Sequence, residues 1–385
     1  MIERYQDLKI KRIWRKDHRF FLWQKIELIY LNNILKNKNI IPNNEKLYPL
    51  QQFDYYMFSE YEKRTKHEMV AFLKELSYRL DIYHEKYPEV NQYLHYGLTS
   101  SDIIDTAFSL QIKESLNYLI ELITELKAAI ETKIKFCKEN NIQAIGRTHG
   151  KHAEQLPFAN RFELFKEEII YALQLLHQAK SFIYGKLTGP VGTSSFVDKD
   201  AAKKTLGELK LCQADFTTQI IPRFYYTHTM YALTVLATFY ERFSIFIRLS
   251  AINEINEIQE HFSPGQTGSS AMPHKNNPVI AENICGLSRY IKSNLQVALD
   301  NNTLWWERDI SHSSNERIIW PQSFHLICNL TTKITNLLNT MHLNQDVIQN
   351  NLDNSVCDSH EDLLKASLSS TRFDAYEKVQ SKYKL

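Results

Sequence analysis

The sequence predicts an all-α fold. Three observations carry that expectation. The 385 residues contain only 10 Gly and 10 Pro. Gly allows backbone angles that other residues avoid, and Pro stops helices, so their scarcity leaves long stretches free to be helical. Apolar residues recur at spacings of three and four, as on one face of a helix. The breakers also cluster: two of the glycines and three of the prolines fall in the stretch 263–278.

The elements follow in order. Residues 1–98 read as short helices. Trp14, Phe21, Trp23, Ile26, Leu28 and Ile29 form an apolar stripe that ends before Pro42 and Pro49. A helix over about 56–80 is expected to include the polar cluster Lys66-His67-Glu68. Thr99 and Asp102 have the spacing of a capping box at a helix start. From 98 to 145 there is neither Gly nor Pro, and Ile112, Leu116, Leu119, Ile123, Leu126, Ile130 and Ile134 keep the helical period. One long helix fits. A polar turn is expected at 146–152 and a helix at about 157–184. A turn-rich connection at 185–195, with room for a short hairpin, comes next. A second very long helix is expected over 223–263, and further helices at 279–301 and 307–321. Helices of ~40 residues are ~60 Å long. They bury a two-sided apolar surface most economically in a bundle shared between subunits.

Composition narrows the function. Hydrophobic content of 43% and charged content of 23% suit a soluble globular chain. Net charge is +2, so no global field points to nucleic acid or membrane. The five cysteines are scattered and form no CxxC, which argues against a disulfide framework or zinc site and fits a reducing compartment. The N-terminus lacks an apolar signal core, and the most apolar run, near 230–240, is short for a bilayer. A cytoplasmic protein is expected.

The stretch 263–278 holds two adjacent hydroxyls, Ser269 and Ser270, with Met272, His274, Lys275, Asn276 and Asn277. That inventory suits carboxylate binding and proton movement. A serine can serve as a base only where neighbouring charge and N–H groups stabilise its alkoxide in a closed, dry site. A loop hinged by Gly and Pro could close to make one.

The run Gly268-Ser269-Ser270-Ala271-Met272-Pro273-His274-Lys275-Asn276-Asn277-Pro278 with Glu282 resembles the signature of the fumarase/aspartase superfamily. Supporting stretches occur in the family's order: Ile2-Glu3-Arg4-Tyr5, His95-Tyr96-Gly97-Leu98-Thr99-Ser100-Ser101-Asp102, Gly146-Arg147-Thr148-His149-Gly150, and Trp306-Glu307-Arg308-Asp309-Ile310-Ser311-His312-Ser313-Ser314-Asn315-Glu316-Arg317. The Pro-His-Lys variant and the Arg-Asp-x-Ser-x-Ser stretch favour the branch that acts on succinylated purine nucleotides.

The resemblance implies a three-domain fold with boundaries at 1–98, 99–343 and 344–385, whose long central helices form the core of a homotetramer. Each site would take segments from three subunits. It implies β-elimination of fumarate from adenylosuccinate, giving AMP, and from the related succinylated imidazole carboxamide ribotide. No metal or organic cofactor would be required. Catalytic roles would fall to His149 as acid, Glu282 as its orienting carboxylate, Ser270 as base beside Ser269, and Lys275. Thr99, Ser100, Thr148, Gln219, Lys275 and Asn277 would hold the two succinyl carboxylates. Arg4, Tyr5, Arg308, Ser313 and Arg317 would hold the phosphate. His67, between Lys66 and Glu68, and His95 would line the same pocket. Met272 would pack on substrate or line the closed loop. Alternatives are another lyase of the superfamily, such as one cleaving argininosuccinate, or a silent helical scaffold.

The sequence departs from the family pattern at three places. Lys66 and Glu68 stand where Arg and Asp are usual. Phe224 follows Arg223 where an Asp is common. The helical cap after about 343 is expected to be abbreviated relative to the family. Lys keeps the charge of Arg but not its planar fork.

Overall fold

The computed structural model describes residues 2–263, 265–266, 268–269, 271–272, 274–355 and 358–383. The chain is mostly helical, as the composition requires. In order the elements are α1 (Leu8–Ile13), α2 (Lys16–Asn37), α3 (Tyr55–Thr65), α4 (Glu68–Leu80), α5 (Val90–Tyr93), α6 (Ser100–Glu139), β1 (Gln143–Thr148), β2 (Lys151–Pro157) and α7 (Ala159–Ser181). There follow β3 (Tyr184–Gly185), α8 (Lys199–Glu208), β4 (Cys212–Gln213), α9 (Arg223–Ser250), β5 (Ile258–Gln259), α10 (Val279–Asp300), α11 (Ser311–Thr340), β6 (His342–Leu343), α12 (Gln345–Asp353), α13 (Ser359–Ser367) and α14 (Arg372–Tyr383).

The chain divides into two compact units. The first comprises Met1–Ile120, Gln174–Thr234 and Ile291–Asn329, and the second Glu121–Leu173, Val235–Tyr290 and Leu330–Leu385. The boundaries fall inside α6, α7, α9, α10 and α11, so each unit takes part of these five helices. The first unit is built on aromatic clusters: Phe20 with Trp23, Phe58 and Phe72, and Phe108 with Trp14, Tyr226 and Trp320. In the second, Phe165 stacks on Phe243 with centroids 4.0 Å apart, and Phe162 and Phe246 complete the patch.

The 40-residue α6 meets the expectation of one long helix. The Thr99 N–H donates to Asp102 Oδ2 at 2.7 Å, which is the reciprocal arm of the expected capping box. Asp102 also receives Lys186 Nζ at 2.5 Å and the Thr188 N–H at 2.9 Å, and both partners of that ion pair are fully buried.

Five local expectations need correction. The helix expected over 56–80 is two helices, broken at the Lys66 cluster. Lys66 takes a left-handed φ of 54°, and His67 then caps α4 by accepting the Val70 N–H. The polar turn at 146–152 is the end of an antiparallel hairpin. Thr148 pairs with Lys151, leaving a two-residue loop of His149 (φ 53°) and Gly150 (φ 77°), both left-handed as a tight type I′ turn demands. No hairpin lies in 185–195; β3 pairs instead in parallel with β4, across α8. The helix expected over 223–263 stops at Ser250. The Asn256 N–H turns back to Ile252 O and the Glu257 N–H to Ser250 O, and β5 then pairs with β6. Absence of breakers permits a helix without compelling one. Finally, α11 starts later than 307 and continues through Pro321. Pro forfeits one ladder hydrogen bond, and the packing of Trp320 and Phe324 around it holds the helix together.

α9 is long and apolar enough to cross a membrane by length and composition, alone among the described residues. That exceeds the short run read from the sequence. Half of its most apolar window is buried inside the protein.

Candidate active site

The first unit contains a cavity of about 680 Å³ whose wall draws on five distant segments. α2 contributes Lys16, Arg19 and Trp23, and the α3–α4 break contributes Lys66, His67 and Glu68. Thr99, Ser100 and Asp105 come from the start of α6. Gln219, Arg223, Arg308, His312, Ser313, Glu316 and Arg317 come from the approach to α9 and from α11 and its approach. Nine of the residues singled out in the sequence thus share one wall: Lys66, His67, Glu68, Thr99, Ser100, Gln219, Arg308, Ser313 and Arg317. Six cationic side chains (Lys16, Arg19, Lys66, Arg223, Arg308, Arg317) face three carboxylates (Glu68, Asp105, Glu316). The excess favours an anion, and the N-terminus of α6 at Ser100 adds its N–H groups to the same wall.

Local chemistry explains why these residues sit where they do. Asp309 accepts the Trp305 and Ser311 N–H groups at 2.8 and 2.7 Å and the Ser311 hydroxyl at 2.5 Å. The Ser311 hydroxyl and those N–H groups hold its carboxyl down to about 2. That bracket fixes the loop bearing Arg308. Arg308 Nη1 donates to Gln219 Oε1 at 2.7 Å, joining two segments that the sequence separates by 89 residues.

Behind them lies a buried ionic hub. Arg223 donates to both oxygens of Asp105, at 2.7 and 3.1 Å, and to both oxygens of Glu316, each at 3.1 Å. Asp105 also accepts the Ile221 N–H at 2.8 Å, which anchors the segment carrying Gln219. Burial opposes the charge on Asp105, but Arg223 outweighs it and holds the carboxyl below its usual range. Burial wins at Glu316, whose carboxyl is raised. His312 is buried with Nδ1 unpartnered, and burial followed by the Arg223 charge lowers its pKa to about 4. Sequence reasoning gave no role to Arg19, Asp105, Arg223, His312 or Glu316. An arginine on the apolar face of α2 was the available signal for Arg19.

The other predicted residues lie elsewhere. Arg4 and Tyr5 form a short 3-10 turn outside the cavity wall, with Arg4 exposed. His95 does not line this cavity. Its Nδ1 lies 2.5 Å from Glu27 Oε1, beside a separate shallow pocket with Tyr61, Lys74 and Asn91. Burial lowers the His95 pKa, but the Glu27 charge prevails and raises it.

The second unit carries the remaining set. Thr148 and His149 stand exposed at the hairpin tip. Below them Arg147 and Arg161 donate to the two oxygens of buried Glu257, at 2.8 and 3.0 Å, which fixes the hairpin base. Of the signature loop, Ser270 lies outside the described residues. Ser269 Oγ accepts the Ala271 and Met272 N–H groups at 3.3 and 3.1 Å, and Met272 is half exposed. Asn277 Nδ2 donates to Gly268 O at 3.2 Å, and Lys275 is exposed. Gly268 is obligatory there, because a Cβ would lie 2.1 Å from Lys275 O. Glu282 is exposed in the first turn of α10. The start of α10 is capped by Glu260, which accepts the Ile280 and Ala281 N–H groups at 3.0 and 2.8 Å. Among the described residues, no hydrogen bond joins His149 to Glu282 within the chain.

Known proteins resemble the chain over nearly its whole length. The profile of a family described as lyase matches residues 12–292. Adenylosuccinate lyase of Bacillus subtilis (strain 168) is 34% identical over 388 residues, covering 99% of this chain and 88% of the relative. That of Thermotoga maritima is 33% identical over 386 residues, covering 99% and 87%. Two solved structures share the fold at 18% identity: a fumarate lyase from Mesorhizobium sp. BNC1 (TM-score 0.82, covering 98% of this chain and 86% of that one) and a 3-carboxy-cis,cis-muconate lactonizing enzyme from Pseudomonas putida (TM-score 0.83, 98% and 85%). The chain belongs to this lyase family, with the fold of the fumarate lyase superfamily. Within the family its place is among the adenylosuccinate lyases.

Proposed function

We propose that the protein cleaves adenylosuccinate to AMP and fumarate, and the succinylated imidazole carboxamide ribotide to its amide and fumarate, in purine nucleotide biosynthesis. The observation that carries this reading is the cationic cavity of the first unit. It gathers Lys66, His67, Thr99, Ser100, Gln219, Arg308, Ser313 and Arg317 from segments far apart in sequence. Its charge suits a substrate with one phosphate and two carboxylates. Arg308 and Arg317 offer planar forks to the phosphate, with Ser313 beside them. The N–H groups at the start of α6, with the Thr99 and Ser100 hydroxyls, suit a succinyl carboxylate.

The chemistry is a β-elimination. A base, Ser270 with Ser269 as neighbour, takes the proton from the carbon next to one carboxylate. The negative charge that builds on that carboxylate is stabilised by donors such as Lys275 and Asn277. The carbon–nitrogen bond breaks, its electron pair leaves with nitrogen, and His149 supplies the proton that nitrogen gains. Glu282 orients the imidazole. The carbon–carbon double bond of fumarate remains.

Within one chain the side chains of His149 and Glu282 are exposed and hydrogen-bond to neither each other nor another group among the described residues. That supports a homotetramer in which each site takes segments from three chains, with Arg4, Tyr5 and His95 entering from neighbours. None of the four described cysteines is in a disulfide, which supports a cytoplasmic setting. The test is direct. The purified protein should release AMP and fumarate from adenylosuccinate at neutral pH, followed by absorbance, and should leave argininosuccinate intact. Folded protein that turns over no adenylosuccinate would reject the reading.

A further inference from the structure

Arg19 is a cavity guanidinium that none of the motifs reaches. It lies on α2 with its Cζ 5.1 Å from the Trp23 ring and 5.4 Å from the Phe20 ring. Stacking of this kind holds a guanidinium plane in place. Its Nε is buried with no hydrogen-bond partner. Its Nη2 bonds Glu68 Oε1, and the other oxygen of the same carboxylate lies 3.7 Å from Arg317 Nη2. One carboxylate therefore stands between two guanidinium groups, all three on the wall of one cavity. Burial weighs against the Arg19 charge, Glu68 supports it, and Arg317 opposes it.

A single negative charge serves two cations poorly. A phosphate monoester brings nearly two charges and three acceptor oxygens, enough to engage both forks at once. Glu68 would lose little by leaving. Its side chain is one-fifth exposed at the first position of α4, where the helix N-terminus favours a carboxylate. The aspartate usual at this position in the resembling family is one methylene shorter, so the reach that spans Arg19 and Arg317 comes with the Glu of this chain.

We propose that Arg19 is a further phosphate-binding residue of the cavity, and that Glu68 occupies the seat between Arg19 and Arg317 until the nucleotide phosphate displaces it. The inference rests on the proposed function, because it takes the ligand to be a purine nucleotide. It treats Glu68 as an internal competitor for the phosphate.

Calorimetric titration of the full-length protein with AMP, and separately with fumarate, tests it. Glu68→Gln should tighten AMP binding about tenfold, the gain from clearing a seat filled about nine-tenths of the time. Glu68→Asp should act in the same direction and more weakly. Arg19→Gln should weaken AMP binding about tenfold or more, the loss of a charge-assisted pair. Fumarate binding should stay unchanged in all three. AMP affinity that is unchanged or weaker in Glu68→Gln, or unchanged in Arg19→Gln, overturns the proposal. So does a response confined to fumarate, which would give the seat to a carboxylate. Wild-type protein that does not bind AMP would bring down the functional reading and this inference together. Wild-type binding with insensitive variants brings down this inference alone.

Discussion

The cavity of the first unit and the exposed loops of the second treat their polar groups in opposite ways. In the cavity wall, Arg223 is shared by Asp105 and Glu316, Arg308 by Gln219, and Glu68 by Arg19 and Arg317. These groups are pre-organised by one another within a single chain. At the hairpin tip and in the signature loop, His149, Lys275 and Glu282 are exposed. What is fixed there is the backbone beneath them: Glu257 clamps the hairpin and Glu260 caps α10. The contrast suggests a division of labour. On the proposed function, the cavity would bind and orient, while the loops would bring reactive groups that stay solvated until a closed site forms.

That division can be attacked at either end. The largest effect is expected at the hairpin tip. His149→Gln should lower kcat by ~10²- to 10⁴-fold, the usual worth of a general acid, while leaving the melting temperature unchanged. A KM effect without a kcat effect would move His149 to the binding half. Arg223→Met should do the reverse. It strands two buried carboxylates and should destabilise the fold by about 3–5 kcal/mol, read from denaturant unfolding. Gln219→Ala should raise KM for adenylosuccinate about tenfold with little change in kcat, because it removes an orienting partner of Arg308 and not a reacting group.

The smallest effect concerns pH. The buried His312 has a pKa of about 4, below its value in an unfolded chain. The unfolded state therefore binds more protons between about pH 6.5 and 4, and stability falls as pH drops through that window. Above about 6.5 the contribution is fully present. His312→Asn should flatten the acid side of a plot of melting temperature against pH, and an unchanged slope would show that His312 is not neutral by burial.

Some of this was legible in the sequence. α6 follows from a long run without breakers and an unbroken apolar stripe, and α10 from its apolar period, which continues through Gly286. The shared wall of Thr99, Ser100, Arg308, Ser313 and Arg317 was reachable only through resemblance, since nothing local brings residues 99 and 317 together. The hub was not reachable at all. Arg223 is 118 residues from Asp105 and 93 from Glu316, and a charged residue in a helical pattern reads as a solvated face until the packing is known. The break at Lys66 is hidden because a left-handed Lys can end a helix where Gly is usual, and the end at Ser250 carries neither Gly nor Pro, so neither leaves a mark in composition.

The central claim is that binding half and reacting half meet across chains. The most direct measurement mixes two inactive proteins, His149→Gln and Arg308→Ala, under conditions that would dissociate and reassemble the proposed oligomer. If each site takes Arg308 from one chain and His149 from another, about a quarter of the sites in a random hybrid hold both intact residues. Activity should then return to roughly that fraction of the wild-type level. Hybrids that form and remain as inactive as either parent would contradict the account.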